Sequence, residues 1–363
     1  MDGKTLDVAP APMIFLWGML AHPDMRAVLG VEGTTEAHTL QGWSAQVQGG
    51  PHIRLEPGTT ATLEGQLVPA DGRLSSKLAF FLAASTGSVT MTELASGIAA
   101  PAGLRKPSPG GDAVEIEAAR EVMRLYPNSE PHAISRRYEM MLLRASTRLR
   151  AAAMPAPRAV RAPKSRADVT SIEARQPYAN YFTVEEHDLQ FPRFDGARSA
   201  PVTRAAFVGG DAVTILPYDP KRDRVLIIEQ FRFAPYIRND PNPWVLEPPA
   251  GRIDAGETPS QAAAREMAEE TGIRARSIEQ IAAYYPSPGA WTEYLYSFIG
   301  LCDLPDASGH IGGLDGEDED ILSHVISYDD AMGLMASGEC DAGPLWLSLM
   351  WLGAHRDRLR ATA

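Results

Sequence analysis

The chain has 363 residues, more than one hydrophobic core usually organises, so we expect two domains. Its formal net charge of −12, from 34 basic and 46 acidic residues, argues against general binding of nucleic acid, which requires a basic surface. The two cysteines, Cys302 and Cys340, lie far apart without a CxxC motif, which argues against a disulfide framework and favours buried free thiols in a reducing cytoplasm. No apolar stretch is long enough to span a bilayer, so we expect a cytoplasmic protein that does not bind membranes.

The first part of the chain, residues 1–105, is interpreted as a small α/β or β-rich domain. Its short apolar runs alternate with turn residues, as is typical of short elements in a small sheet. The runs lie at residues 14–17, 61–68 and 78–82.

A helical extension is predicted for residues 106–153. Apolar side chains recur at helical spacing over residues 113–126 and again over residues 133–153, which indicates two helices. Residues 154–170 are basic and rich in Pro and Ala. This composition favours a solvated linker, and contact with an acidic neighbouring domain is the alternative.

The remaining residues, 171–363, have the pattern of one compact α/β domain. A helix is predicted from Pro259 to Thr271, because Gly272 follows in the position where glycine commonly ends a helix. Two further helices are expected after Asp329 and Asp341. Runs rich in Val and Ile predict strands, and these lie at residues 211–218, 224–233, 244–247, 277–285, 294–301 and 321–327.

Three glutamates on the predicted helix carry the strongest chemical signal in the chain. At 100° per residue, Glu266, Glu269 and Glu270 fall within about a quarter-turn arc, where their charges repel one another unless cations neutralise them. Oxygen ligands without imidazole or thiolate select Mg²⁺, with Mn²⁺ as a substitute, and such ions could bridge to pyrophosphate oxygens. The other side of the helix, with Ala264, Met267, Ala268 and Thr271, is predicted to pack on the sheet. The alternative is an ordinary amphipathic helix with an acidic outer face.

Residues 251–273 fit the pattern G-x5-E-x7-R-E-U-x-E-E-x-G-U at every fixed position and therefore resemble the Nudix hydrolase superfamily. The resemblance implies an α/β/α sandwich with a mixed sheet and a Mg²⁺-dependent pyrophosphohydrolase. We expect Glu257 and Arg265 to pair across the loop–helix junction and hold its geometry, with Arg265 and Glu269 counted among the catalytic residues. Gly251 and Gly272 are expected to serve backbone conformation.

Residues 179–355 resemble the ADP-ribose pyrophosphatase branch of that superfamily, in the segments 210–220, 228–232, 243–251 and 285–289. The resemblance implies hydrolysis of ADP-ribose to AMP and ribose 5-phosphate. Another nucleoside diphosphate sugar or dinucleotide, such as GDP-mannose, NADH or FAD, is the alternative substrate. A ligand-sensing module without catalysis is the alternative of a different class, and the intact carboxylates argue against it.

Carried over to this sequence, the branch implies metal ligands at the Ala250 carbonyl, Glu266, Glu270 and Glu319, and a general base at Glu317. A solvated acidic loop is the alternative for the last two. The residues implied to hold the substrate are Arg232, Arg204, Tyr181, Ser287 and Glu293, of which Tyr181 also has a core-aromatic interpretation. The branch further implies a domain-swapped homodimer.

Residues 15–23 resemble the aromatic-Gly-Thr/Ser-Leu loop of γ-glutamylcyclotransferase-like domains, which are fused to Nudix domains in proteins associated with tellurite resistance. Two departures stand against activity there. Met19 replaces a small hydroxyl residue, and residues 78–84 contain no acid where that family has its catalytic glutamate, near Leu82. We therefore expect the first domain to be structural and catalytically silent, against the alternative that it is the active enzyme.

Overall fold

The computed structural model of the chain describes residues 13–31, 34–47, 52–95, 98–106, 108–180, 182–306, 309–313 and 320–361. The chain divides into two compact units, Met1–Met154 and Pro155–Ala363. Throughout the described ranges, no helix is long and apolar enough to cross a bilayer.

The first unit is built on a sheet whose central strand is almost completely buried. Strand β1 pairs antiparallel with β3 and parallel with β5, and the described strands follow the order β2-β3-β1-β5-β4, with β6 also on β3. The elements are β1 Met13–Trp17, α1 Pro23–Leu29, β2 Glu36–Val47, β3 His52–Pro69, α2 Gly72–Thr86, β4 Met91–Ala95, β5 Ile98–Pro101, β6 Gly103–Arg105, α3 Gly111–Arg124, α4 Pro131–Ser135 and α5 Tyr138–Ala153.

Two features of this unit differ from the simplest interpretation of the sequence. The apolar run at residues 78–82 lies inside α2, which Asp71 caps by accepting a hydrogen bond from the Leu74 N–H at 2.6 Å. The single helix predicted over residues 133–153 is wrong, because the chain leaves helical geometry at Arg137, between α4 and α5. The predicted helical extension belongs to the same compact unit as the sheet, since Arg105 of β6 forms an ion pair with Glu139 of α5.

The second unit contains a small antiparallel sheet, β7-β8-β9, and a large mixed sheet in the order β14-β15-β10-β11-β17-β16, with β12 on β11 and β13 on β10. Its strands are β7 Thr170–Ala179, β8 Thr183–Gln190, β9 Val202–Val208, β10 Ala212–Asp219, β11 Arg224–Phe231, β12 Trp244–Glu247, β13 Ala250–Arg252, β14 Ser277–Tyr284, β15 Leu295–Leu301, β16 Ile311–Gly312 and β17 Ile321–Ser327. Its helices are α6 Phe233–Ile237, α7 Pro259–Thr271, α8 Tyr328–Ser337 and α9 Gly343–Ala361.

The central strands of the large sheet are covered on both faces, which confirms the α/β/α sandwich. One face of β10 and β11, including Val213 and Ile228, packs with Met267 of α7. The other face packs against α9, and every residue of β10 is buried as a result. The two cysteines are buried free thiols, as expected, and burial raises the pKa of Cys302 to about 12.

Most strand predictions for this unit agree with the structure, but the strand predicted to reach Phe233 is too long. Strand β11 ends at Phe231, and the N–H of Arg232 donates to the Pro243 carbonyl at 2.8 Å. Phe233 then begins α6. The aromatic residues extended the β-type pattern beyond the point where the backbone turns into a helix.

Asp223, in the turn between β10 and β11, forms ion pairs with two arginines of helix α9. Its carboxylate accepts hydrogen bonds from the Tyr218 hydroxyl at 2.7 Å and from Arg356 Nε at 3.0 Å, and it lies 2.9 Å from Arg360 Nη1. Burial by itself raises the pKa of Asp223, but these bonds and charges outweigh it and hold the pKa at about 2.

We expect Asp223→Asn to lower the free energy of unfolding at pH 7 by about 1–2 kcal/mol, because the two arginines lose an ionised partner. The folded pKa lies below the unfolded value of about 3.9, so this stabilisation is complete above about pH 4 and is lost as the pH falls toward 2. Urea unfolding of both proteins at pH 7, 4 and 3 tests this. A difference in stability that stays constant over that range would contradict the assignment.

Candidate active site

Helix α7 carries the acidic motif and has strong signals at both ends. The Thr258 hydroxyl accepts from the Gln261 N–H at 3.3 Å, and the Gln261 side chain accepts from the Thr258 N–H at 2.9 Å, which completes a capping box before Pro259. Gly272 ends the helix with a φ of 69°, a left-handed conformation that favours glycine. The predicted bounds of this helix are confirmed.

The side of α7 that faces the sheet is rotated from the predicted one. Ala262, Ala263 and Met267 are fully buried, whereas Ala264, predicted to pack on the sheet, is exposed, and Ala268 is only half-buried. Because this buried stripe continues at i+3 and i+4 from Met267, it includes Glu270, which is only 3% exposed. A carboxylate is therefore placed at the edge of the core.

Strand β13 directs the backbone of Ala250 toward Glu270. The ladder bonds to β10 fall on either side of Ala250, at the Pro249 carbonyl and the Ile253 N–H, so Ala250 itself occupies a position without ladder bonds. Its N–H donates to Glu270 Oε2 at 3.0 Å. The N–H and C=O of one strand residue point to the same side, so the Ala250 carbonyl lies on the side of that carboxylate.

Gly251 provides the space that Glu266 occupies. A Cβ at this position would overlap the Glu266 carboxylate, and the φ of Gly251 is not left-handed. The prediction that this position needs glycine for its backbone conformation is therefore wrong, because the position needs glycine for space. The missing side chain lets α7 bring a carboxylate directly onto the backbone of β13.

Arg265 donates five hydrogen bonds, four to acids of the motif and one to a backbone carbonyl. Nε and Nη2 donate to the two oxygens of Glu257 at 3.1 and 2.9 Å, and Nη2 also donates to the Arg252 carbonyl at 3.0 Å. Nη1 donates to Glu266 Oε1 at 2.7 Å and to Glu269 Oε2 at 3.0 Å. These bonds, those to Glu257 foremost, raise the pKa of Arg265. The expected pair between Glu257 and Arg265 is present.

These oxygens fit a hard divalent cation. Glu266 and Glu270 both lie against the β13 backbone, where the Ala250 carbonyl adds a third oxygen donor. Within the part of the chain that the structure describes, no three His, Cys, Asp or Glu side chains form a metal-binding group on their own. Because the described side chains alone do not form such a group, the Ala250 carbonyl is the third member of the donor set.

Glu317 and Glu319 lie outside the described residues, but the chain on either side of them is well placed. Gly312 of β16 pairs with Ile321 of β17, so residues 314–319 connect two adjacent strands. A Cβ on Gly312 would overlap the backbone carbonyl of Glu270. Gly312 therefore lies beside the C-terminal turn of α7.

Arg232 lies at the end of β11 and has a partner that sequence reasoning missed. Its Nε donates to Glu247 Oε2 at 2.7 Å. Glu247 pairs with Ile228 and so faces the same side of the sheet as α7. Burial raises the pKa of Glu247, and the charge of Arg232 partly offsets this. The sequence did contain a signal for this partner, because the apolar run of β12 ends in the acid Glu247.

Glu293 interacts electrostatically with charges from several segments of the same unit, Arg232 among them. Burial raises its pKa, the positive charge of Arg252 lowers it, and the negative charge of Asp211 raises it further. Arg252 lies over the Phe182 ring, 5.6 Å from its centroid. Sequence reasoning missed Arg252 and Asp211, because each is a single charge whose partners come from distant segments.

The other described residues that were predicted to bind substrate, Arg204 and Ser287, have partners elsewhere. Arg204 is exposed on β9 and donates to the Thr203 carbonyl at 2.9 Å. Ser287 lies in an exposed turn, where its carbonyl accepts from the Trp291 N–H at 3.0 Å. Tyr181 lies outside the described residues. Of the residues that the structure describes, neither Arg204 nor Ser287 is hydrogen-bonded to the carboxylates of α7.

Comparisons with known proteins agree on the second unit. The family model of the NUDIX domain matches residues 209–339. ADP-ribose pyrophosphatase of Escherichia coli strain K12 is 35% identical over 193 residues, which cover 53% of this chain and 91% of that relative. GDP-mannose pyrophosphatase of Enterobacter sp. strain 638 is 29% identical over 173 residues, which cover 48% of this chain and 88% of that relative. A crystal structure of ADP compounds hydrolase aligns with a TM-score of 0.41 and 22% identity, over 53% of this chain and 98% of that one.

We expect Gly312→Ala to lower the free energy of unfolding by about 2 kcal/mol, because the added methyl group overlaps the backbone carbonyl of Glu270, which cannot move without displacing α7. Gly333→Ala is the matched control. Its Cβ would meet nothing within 4 Å, and in the interior of α8 alanine should stabilise the protein by about 0.5–1 kcal/mol. Urea unfolding measures both. Stabilisation by Gly312→Ala would contradict the close approach of β16 to the end of α7.

Proposed function

We propose, from the premise that this chain belongs to the NUDIX family and is a pyrophosphohydrolase of nucleoside diphosphate compounds, that it hydrolyses ADP-ribose to AMP and ribose 5-phosphate with Mg²⁺. The observation that carries the proposal is the meeting of α7 with β13. Glu270 and Glu266 both lie against the Ala250–Gly251 backbone. Their carboxylates and the Ala250 carbonyl offer a cation oxygen ligands only, without nitrogen or sulfur. Mn²⁺ is the expected substitute.

The residues of this site would divide the work between holding and proton transfer. When bound, Mg²⁺ would neutralise the diphosphate and lower the pKa of an attacking water. Glu266, Glu270 and the Ala250 carbonyl would hold it, with Glu319 as an additional ligand. Glu317 would take the proton from the water as a general base. Support for this last role is the position of Gly312 beside the Glu270 backbone.

Arg232 and Glu293 are the residues that we propose for substrate binding next to this centre. The guanidinium of Arg232 is held by Glu247 at 2.7 Å, yet the side chain remains 40% exposed, so it can donate to a phosphate or stack on a base. Glu293 would accept from sugar hydroxyls. Arg204, Tyr181 and Ser287 are proposed to act through a homodimer, in which a second copy completes the site.

ADP-ribose is proposed over other substrates because of the relatives. The ADP-ribose pyrophosphatase from Escherichia coli is more similar to this chain than the GDP-mannose pyrophosphatase, at 35% against 29% identity. GDP-mannose remains the second candidate on the strength of that relative. The two substrates differ in base and sugar, so Arg232 and Glu293 would decide between them.

For the first unit we propose a structural role, in a γ-glutamylcyclotransferase-like domain that has lost its catalytic acid. The segment at residues 78–84 lies in α2, where Leu78, Phe81 and Leu82 are buried apolar side chains. This segment contains no acidic residue, which supports the proposal. Release of 5-oxoproline from γ-glutamyl amines by the full chain would overturn the proposal.

We expect Glu270→Gln to reduce kcat on ADP-ribose by at least about 100-fold, because one cation ligand loses its charge. Glu279→Gln is the control, since Glu279 belongs to an exposed ion pair with Arg358 at 2.9 Å. The assay measures phosphate freed from the products by alkaline phosphatase, with Mg²⁺ and ADP-ribose, GDP-mannose, NADH or FAD. Equal rates for the wild type and Glu270→Gln would contradict the catalytic assignment. A preference for GDP-mannose would change the proposed substrate and leave the catalytic assignment intact.

A further inference from the structure

The guanidinium of Arg265 has two sides with different partners. Nε and Nη2 bind Glu257, in the segment that joins β13 to α7, and the carbonyl of Arg252, the last residue of β13. Nη1 binds Glu266 and Glu269, which both belong to α7 itself. The first side has three bonds and would hold the guanidinium in place even if the second side lost its bonds.

The second side binds a carboxylate oxygen that the cation would also bind. Glu266 Oε1, which accepts from Nη1 at 2.7 Å, is also the Glu266 oxygen closest to a Cβ built on Gly251. One oxygen therefore faces both the guanidinium and the strand that carries the Ala250 carbonyl. A divalent cation beside Ala250 and Glu266 would be close to a fixed positive charge, and the two would repel.

We propose that the Nη1 side of Arg265 is the resident counter-ion of the motif acids and that a divalent cation must displace it from Glu266 in order to bind. This inference rests on the proposed function, because it assumes that the same acids hold the cation. Arg265 then has two opposed effects. It stabilises the metal-free protein against repulsion among Glu257, Glu266 and Glu269, and it weakens the binding of the cation.

A positioning role alone predicts the opposite sign. If Arg265 only orients the carboxylates for the metal, its removal disorders the ligands and weakens cation binding. If it is the counter-ion, its removal leaves the acids more negative and strengthens cation binding. The direction of the change in Kd therefore separates the two roles, and no measurement of turnover is needed.

The test is a titration of the full chain with Mn²⁺ alone, followed by electron paramagnetic resonance of the free ion. We expect Arg265→Gln to lower the Kd about tenfold, because one charge-assisted hydrogen bond no longer competes for Glu266. We also expect its metal-free unfolding temperature to fall and its rise on adding Mn²⁺ to exceed that of the wild type. Arg276→Gln, which breaks the exposed pair of Arg276 with Asp303 at 2.8 Å, should change neither quantity.

An unchanged or higher Kd in Arg265→Gln would overturn the inference while leaving the proposed function intact. A wild-type chain that binds no Mn²⁺ would instead overturn the proposed function. If Arg265→Gln fails to fold without metal, Arg265→Lys serves in its place. A lysine cannot hold Glu257 and Glu266 together, so we expect a Kd about threefold below the wild type. An unchanged or higher Kd in this variant would overturn the inference equally.

Discussion

Repulsion among acidic side chains on neighbouring turns of α7 is the constraint on which this part of the molecule depends. Glu266, Glu269 and Glu270 lie within two turns, and Glu257 approaches from the preceding loop. In the described structure a single guanidinium, that of Arg265, bonds to three of these four carboxylates. One positive charge against four negative charges leaves the group strongly anionic, which is the condition that a divalent cation and a diphosphate together satisfy.

The backbone of β13 completes what the side chains begin. A strand position without ladder bonds frees the polar groups of Ala250 for the motif helix, and the missing side chain of Gly251 brings Glu266 against the strand. Both features require β13 to be fixed on β10. The sandwich provides this, because the core between the large sheet and α7 holds helix and strand at a constant separation.

Local signals were readable from the sequence, and tertiary ones were not. The ends of α7 follow from Thr258 and Gly272, whose effects act within a few residues, so they were predicted correctly. The prediction of its buried side was wrong, because α7 has alanines on several faces and they do not indicate which face meets the sheet. Ala264 was therefore predicted to be buried in place of Ala263. Glu247 was missed as the partner of Arg232 because strand pairing brings the two together from 15 positions apart. Residues 314–319 follow the family pattern, but their roles remain predictions.

The most direct test of the account is a crystal structure of the full chain with Mn²⁺ and a non-hydrolysable ADP-ribose analogue, using the anomalous signal of manganese to locate the ion. The account predicts a peak in contact with Glu266, Glu270 and the Ala250 carbonyl, with the diphosphate bound to the same ion. A peak elsewhere, or an α7 whose acids remain bound to Arg265 alone while the analogue occupies another pocket, would contradict it.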